Sequence, residues 1–218
     1  MLDVDGTLAP IVARPEDASV PAETRAELER LANRYALVAC VSGRTSADVE
    51  RVVGVPALTY VGLHGLELDP RAERYREAIH VFADGVDWPV EDKGLAVSFH
   101  YRGADDEVAA RAELERVARR AEAVGLRARF GRMVLEILPP VDADKGTAVG
   151  HLLTRAHLDR ALYAGDDRTD LDAFRAIESL EVRIRVALAS SEGPPELREA
   201  ADVVVDGPAE FLQLLRRL

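Results

Sequence analysis

The chain has 218 residues, 48% of them apolar, 31% charged and 5% aromatic, a balance that suits a soluble globular protein and is too hydrophobic for a disordered one. Its formal charge of -11 argues against non-specific binding to nucleic acid or to an anionic membrane, because both need a basic surface. An anionic small molecule remains compatible wherever local groups or a cation reverse the field.

The first stretch, "MLDVDGTLAP", reads as the end of a hydrophobic strand. Asp3 and Asp5 flank Val4, and an extended chain puts residues i and i+2 on one side, so two carboxylates meet before Gly6 turns the chain. Carboxylates so close repel unless a cation or a shared proton relieves them, which points to a hard, oxygen-liganded metal such as Mg²⁺. The other reading is that "DGT" only makes a turn. Only Met1 and Leu2 precede Asp3, whereas a typical strand has about 5 to 6 residues. The first strand is therefore expected to be stunted or to begin upstream.

"YALVACVSG" is apolar on successive residues, as in a strand covered on both faces. It holds Cys40, the single cysteine, which excludes a disulfide framework and reads as a buried structural thiol in an intracellular protein. In the following "VSGRTSADV", Ser42 offers a hydroxyl, and Gly43 and the helix start offer backbone N–H groups, a set that could hold phosphate or simply cap a helix. Arg44 could pair with an anion or project into water. A helix, "TSADVERVVGV", and a strand, "ALTYVGLHG", follow.

Between Glu67 and about Val141 the rhythm changes to a strand-like "LAVSFHYR", a charged helix from Asp105 to Val124 and a hairpin over "RARFGRMVLEILP". This grouping predicts an α+β insertion, closed by "PPVDAD". Lys145 in "DADKGTAV" could present a mobile ammonium to a phosphate, or be an ordinary surface lysine. In "YAGDDRTDLDAF", Gly165 is followed by Asp166, Asp167, Asp170 and Asp172, more acid than helix capping needs. A cation site explains that density, with Asp172 and Asp167 solvated or structural. "VRIRVALA" and "ADVVVDG" supply further strands. The alternation of apolar strands and helical patterns gives the fold class as α/β with a parallel sheet.

The ordered motifs "DVDGT", "VSGR", "DKG" and "GDDRTD" resemble those of the haloacid dehalogenase superfamily. The resemblance implies a Rossmann-like core over residues 1–68 and 143–218 with an inserted cap over 69–142. It implies that Asp3 is the nucleophile forming an aspartyl-phosphate and that Asp5 protonates the leaving alcohol and then activates water. Ser42, Gly43 and Lys145 would hold phosphate, while Asp3, the Asp5 carbonyl and Asp166 ligate Mg²⁺ with Asp170 supporting the shell. The phrases "GLHGLEL", "VEDKGLAVSFHYR", "MVLEILPP" and "GDDRTDLDAF" resemble the trehalose-6-phosphate phosphatase family within that superfamily. That likeness implies His64, Glu91, Lys93, Arg102 and Glu136 as substrate contacts, with His100 and Arg132 as further candidates, and Arg44 joins them as a substrate-binding candidate from its place beside the Ser-Gly turn. The segment between Glu67 and Glu91 is shorter than the family's usual lead-in, which implies a reduced or partly open cap.

The resulting expectation is a Mg²⁺-dependent phosphatase that hydrolyses trehalose 6-phosphate in trehalose biosynthesis. The alternatives are a phosphatase for a sucrose, mannosylglycerate or glucosylglycerate precursor, a mutase, and a catalytically silent sugar-phosphate-binding module. The protein is expected to be cytoplasmic and monomeric, with no nucleic-acid or membrane partner. No basic and apolar leader precedes the first motif, and no apolar run approaches the roughly 20 residues of a membrane helix.

Overall fold

The computed structural model describes residues 1–12, 14–131, 133–189 and 193–218. In chain order the elements are α1 (Ala22–Arg34), β1 (Ala39–Val41), α2 (Ser46–Val53), β2 (Thr59–Val61), α3 (Arg76–Asp84), β3 (Glu91–Asp92), β4 (Val97–His100), α4 (Glu107–Ala123), β5 (Arg127–Gly131), β6 (Val134–Leu138), α5 (Lys145–Ala156), β7 (Arg160–Gly165), α6 (Asp170–Ala176), β8 (Val182–Leu188), α7 (Pro195–Ala200), β9 (Val203–Val205) and α8 (Gly207–Leu215). They form two compact units, one of Met1–Leu68 with Ala143–Leu218 and one of Asp69–Asp142.

The first unit is a parallel α/β sheet. β1 pairs with β2, β7 with β8 and β8 with β9, each in parallel. The chain start joins these halves, since Leu2 bridges Cys40 on one side and Ala164 on the other. Five backbone hydrogen bonds make the seam. Leu2 N donates to Ala39 O, Val41 N to Leu2 O, Asp3 N to Ala164 O, Ala164 N to Met1 O and Met1 N to Leu162 O. The short first strand is thus a central one. At its foot, Met1, Leu37, Val38, Leu162, Val182 and Ile184 line an apolar cavity of about 410 Å³.

Alternation along the strands divides their side chains between two helical layers. Cys40, Ala164, Val186 and Leu188 pack with residues of α1, α2 and α8, including Leu28, Val49 and Phe211. Ala39, Val41, Tyr163 and Ala187 pack with α5, α6 and α7 through Val149, Phe174 and Leu197. Apolar side chains on both strand faces are the reason the runs read as continuous rather than alternating. Cys40 is free and fully buried, and loss of solvent pushes its thiol up to about 12. Among the described residues, no helix is long and apolar enough to cross a membrane.

The second unit is an antiparallel sheet in the order β3-β4-β6-β5. Val97, Phe99, Leu135 and Ile137 share one face and pack on Ile79 of α3 and on Leu114 and Val117 of α4. The lead-in to this unit contains only the nine-residue α3, preceded by a 3₁₀ turn over Ala72–Tyr75.

Candidate active site

The first strand, β1 and β7 end on one edge of the sheet, the place where open parallel sheets bind ligands. Asp3 is the last residue of the seam and is 5% exposed. Directly after it the Val4 carbonyl accepts from the Thr7, Leu8 and Ala9 N–H groups and closes a turn. Gly6 takes φ +82° there, and a Cβ on it would lie 2.1 Å from Asp166 Oδ2. Only glycine allows this turn to rest on the acid.

β7 delivers Asp166, and the first turn of α6 delivers Asp170. Asp170 Oδ2 accepts from the Asp166 and Asp167 N–H groups at 3.0 Å each, while its Oδ1 accepts from Lys145 Nζ at 2.7 Å and the Tyr163 hydroxyl at 2.8 Å. Lys145 opens α5 behind a capping box made by Asp144 and Thr147. Its Nζ also lies 2.7 Å from Asp3 Oδ1, and the residue is 3% exposed, so it is no surface lysine. The Thr7 hydroxyl donates to Asp166 Oδ1 at 3.2 Å.

Asp3, Asp166 and Asp170 bring carboxylate oxygens within 4.8 Å of one another. Burial pushes Asp3 well above the carboxylate range, with Lys145 opposing and Asp170 and Asp166 adding to the rise. Burial, then Asp170, lifts Asp166 to about 6. Burial alone would pull Lys145 down, but Asp170 and Asp3 more than offset it and hold the ammonium charged. Three buried carboxylates around one ammonium make an oxygen-rich, electronegative pocket that fits a hard divalent cation. Asp170 accepts four hydrogen bonds, which leaves Asp3 and Asp166 as the members with oxygens available to a ligand.

Asp5 does not join this group. The extended-strand reading placed its carboxylate beside that of Asp3, but the turn that begins at Val4 ends the two-residue alternation. Its carboxylate instead receives Arg44 in a fork, Nε to Oδ2 at 2.7 Å and Nη2 to Oδ1 at 2.8 Å. Arg44 Nη1 reaches Asp48 Oδ2 at 2.6 Å and the Pro15 carbonyl at 3.0 Å. Its guanidinium is therefore engaged within the core unit, and the Asp5 hydrogen bonds raise its already high pKa further.

Ser42 is 2% exposed at the end of β1. Its N–H donates to Val61 O, and its Oγ accepts from the Arg44 N–H at 3.2 Å, so the hydroxyl braces the turn around Gly43. The start of α2 differs from expectation. Thr45 Oγ1 takes the Asp48 N–H and Glu67 Oε1 takes the Ser46 N–H, so protein groups cap two of the donors at the helix start. His64 lies against the same turn: a Cβ at Gly43 would be 2.7 Å from its Nε2.

In the second unit, Glu91, Ser98, Glu136 and Arg129 stand opposite one another in register across all four strands. Lys93 Nζ lies 3.4 Å from Glu136 Oε1, Arg129 Nη2 donates to Glu136 Oε2 at 2.6 Å, and His100 Nε2 lies 2.7 Å from Glu91 Oε2. Three expected sugar contacts, Glu91, Lys93 and Glu136, thus share one polar sheet face, whereas Arg102 is exposed in the turn after β4. Arg132 lies outside the described residues. Arg129, Ser98, Asp48, Tyr163 and Glu67 went unmarked in the sequence. Asp48 alone had a local signal, its i,i+4 spacing from Arg44.

Residues 1–205 match the family model described as trehalose-phosphatase. A trehalose-phosphate phosphatase of Mycobacterium avium (strain 104) is 37% identical over 243 residues, which cover 99% of this chain and 60% of that protein. The probable trehalose-phosphate phosphatase D of Arabidopsis thaliana is 31% identical over 247 residues, covering all of this chain and 66% of its own. The chain thus spans about 60% of the length of the mycobacterial relative. Among solved structures, a trehalose-6-phosphate phosphatase related protein superposes with a TM-score of 0.78 at 25% identity, covering 99% of this chain and 94% of that one. The C-terminal domain of C. albicans trehalose-6-phosphate phosphatase gives 0.71 at 20% identity, covering 98% and 89%, a likeness of fold.

Proposed function

The chain belongs to the trehalose-phosphatase family, and from that premise we propose that it hydrolyses trehalose 6-phosphate to trehalose and phosphate through an aspartyl-phosphate on Asp3. The observation that carries the reading is the buried meeting of Asp3, Asp166, Asp170 and Lys145 at the strand ends. Charge of this density, with one ammonium placed between two carboxylates, suits the handling of a phosphoryl group rather than the stability of a fold.

Asp3 attacks phosphorus, and the bond from phosphorus to the sugar oxygen breaks. Asp5, which must leave the Arg44 fork and enter the reaction protonated, gives that proton to the departing alkoxide, then takes one from the water that attacks phosphorus and releases Asp3. Lys145 and the Ser42–Gly43 turn hold the phosphoryl oxygens, and Lys145 also keeps Asp3 in line through their 2.7 Å contact. Magnesium, held by Asp3, the Asp5 carbonyl and Asp166 with Asp170 as brace, would neutralise phosphoryl charge. Asp170 orients Lys145 and the Asp166–Asp167 turn together. Leaving-group selection is assigned to the Asp69–Asp142 unit, whose polar face carries Glu91, Lys93 and Glu136 as groups able to hydrogen-bond sugar hydroxyls.

The test is phosphate release by purified protein with Mg²⁺ across a panel of sugar phosphates, with trehalose 6-phosphate expected to be turned over best. Preference for a sucrose, mannosylglycerate or glucosylglycerate phosphate would move the assignment to that substrate. Asp3→Asn is expected to cut turnover by at least about 10³-fold while the melting transition persists. Substantial remaining activity would remove the nucleophile assignment.

A further inference from the structure

The turn at Ser42–Arg44 is walled by the segment Gly62–Leu68, whose backbone is unusual. Leu63, His64 and Gly65 stand in succession at φ 50°, 54° and 95°. Two neighbouring side-chain-bearing residues in the left-handed region persist only where the surroundings over-determine them. Two hydrogen bonds to the phosphate turn help to do so, Leu63 N to Arg44 O at 2.7 Å and His64 N to Ser42 O at 2.8 Å. The segment's outer end is tied by Glu67, whose Oε1 accepts the Ser46 N–H at 2.9 Å and whose Oε2 accepts the Gly62 N–H at 3.2 Å. There is no slack in this arrangement. A Cβ at Gly62 would lie 2.2 Å from Ser46 N and 2.6 Å from Glu67 Oε1.

We infer that Glu67 is a positioning residue for phosphate: its carboxylate locks the strained Gly62–Leu68 segment onto the start of α2 and thereby holds His64 against Gly43. The Ser46 N–H that Glu67 occupies is a donor an anion would otherwise take. That leaves Ser42, Gly43, Lys145 and His64 as the proposed phosphate groups, and among their side chains His64 is the one carried on the segment that Glu67 fastens. The inference rests on the phosphate subsite of the proposed function and adds the group that sets its geometry.

The test measures binding of inorganic phosphate by calorimetry in the presence of Mg²⁺, which needs no turnover, beside KM and kcat for trehalose 6-phosphate. Glu67→Ala is expected to weaken phosphate binding and raise KM about 10-fold with kcat within about 3-fold. His64→Ala is expected to do the same, and the double variant to be no weaker than the weaker single one, because residue 67 acts through residue 64. Unchanged phosphate affinity in folded Glu67→Ala, or losses that multiply in the double variant, would overturn the inference. Should Glu67→Ala fail to fold, Glu67→Gln retains the side chain's shape and one acceptor. It is expected to weaken phosphate about 3-fold, and an unchanged affinity overturns the inference equally. Wild-type protein that binds phosphate without hydrolysing trehalose 6-phosphate counts against the proposed substrate alone; wild-type protein that binds no phosphate overturns both.

Discussion

Asp166 is a carboxyl group whose protonated form the fold favours, because burial first and Asp170 second lift it from 3.8 to about 6. A group that binds its proton more tightly folded than unfolded contributes stability that is fully present below its unfolded pKa and lost as pH rises through its folded one. The window here runs from about pH 4 to about pH 6, and a rise of that size corresponds to about 3 kcal/mol. In chelator, the melting temperature should therefore fall across that window and continue to fall beyond it, where Asp3 acts in the same sense, and Asp166→Asn should lessen the fall between pH 4 and pH 6. Asp202, held at about 2 by Arg185, works in the opposite sense but below the window. Added Mg²⁺ should restore stability at pH 7, since a ligand that binds only the folded form stabilises it by mass action. A melting temperature in chelator that is level from pH 4 to pH 6 would contradict the assignment of Asp166 as the strained acid.

The helix α5 shows how an element's end can govern a side chain. Its capping box joins the Asp144 carboxylate to the Thr147 N–H at 2.7 Å and the Asp144 N–H to Thr147 Oγ1 at 2.9 Å, and Lys145 is the first helical residue after that cap. Asp144→Ala is expected to cost about 1 kcal/mol in chemical denaturation. It should also lower kcat beyond what the lost stability explains, because the Lys145 stem leaves the backbone at that cap; full kcat with lowered stability would limit Asp144 to a structural part. The elements themselves were legible because their signals are local, from the strand ACV at β1 to the charged run of α4. The acids of the buried cluster were legible as well, since four fall within seven residues after β7 and one opens the chain. What sequence spacing could not carry were pairings between distant segments. Arg44 with Asp5 spans 39 positions and Glu67 with Ser46 spans 21. Neither has a periodicity to reveal it. The row of Glu91, Ser98, Glu136 and Arg129 depends on strand register, which a hairpin's composition leaves open until its turn is known.

At the scale of the whole core, the cavity of about 410 Å³ at the foot of the central strand is apolar enough to be tested as a berth for added chain. Three or four apolar residues added ahead of Met1 are expected to bury one or two side chains, at about 1.5–3 kcal/mol each, and to raise melting by about 5 °C. A glycine-serine addition of equal length should not, and equal effects from the two would dismiss the berth. The seam above that cavity has a mechanical meaning as well. The core consists of two stiff plates, β2 with β1 and β7 with β8 and β9, fastened to each other in the sheet plane by a rivet three residues long. The proposed nucleophile sits at the tip of that rivet. Loosening the fastener needs five hydrogen bonds to open and leaves the strand pairing and helix packing of both plates in place, so warming should silence the proposed activity before the core unfolds. Activity is expected to vanish several degrees below the loss of helical signal, with the Val41 and Ala164 amides exchanging at the lower temperature; inactivation that tracks unfolding throughout would show the plates and the rivet to be one piece.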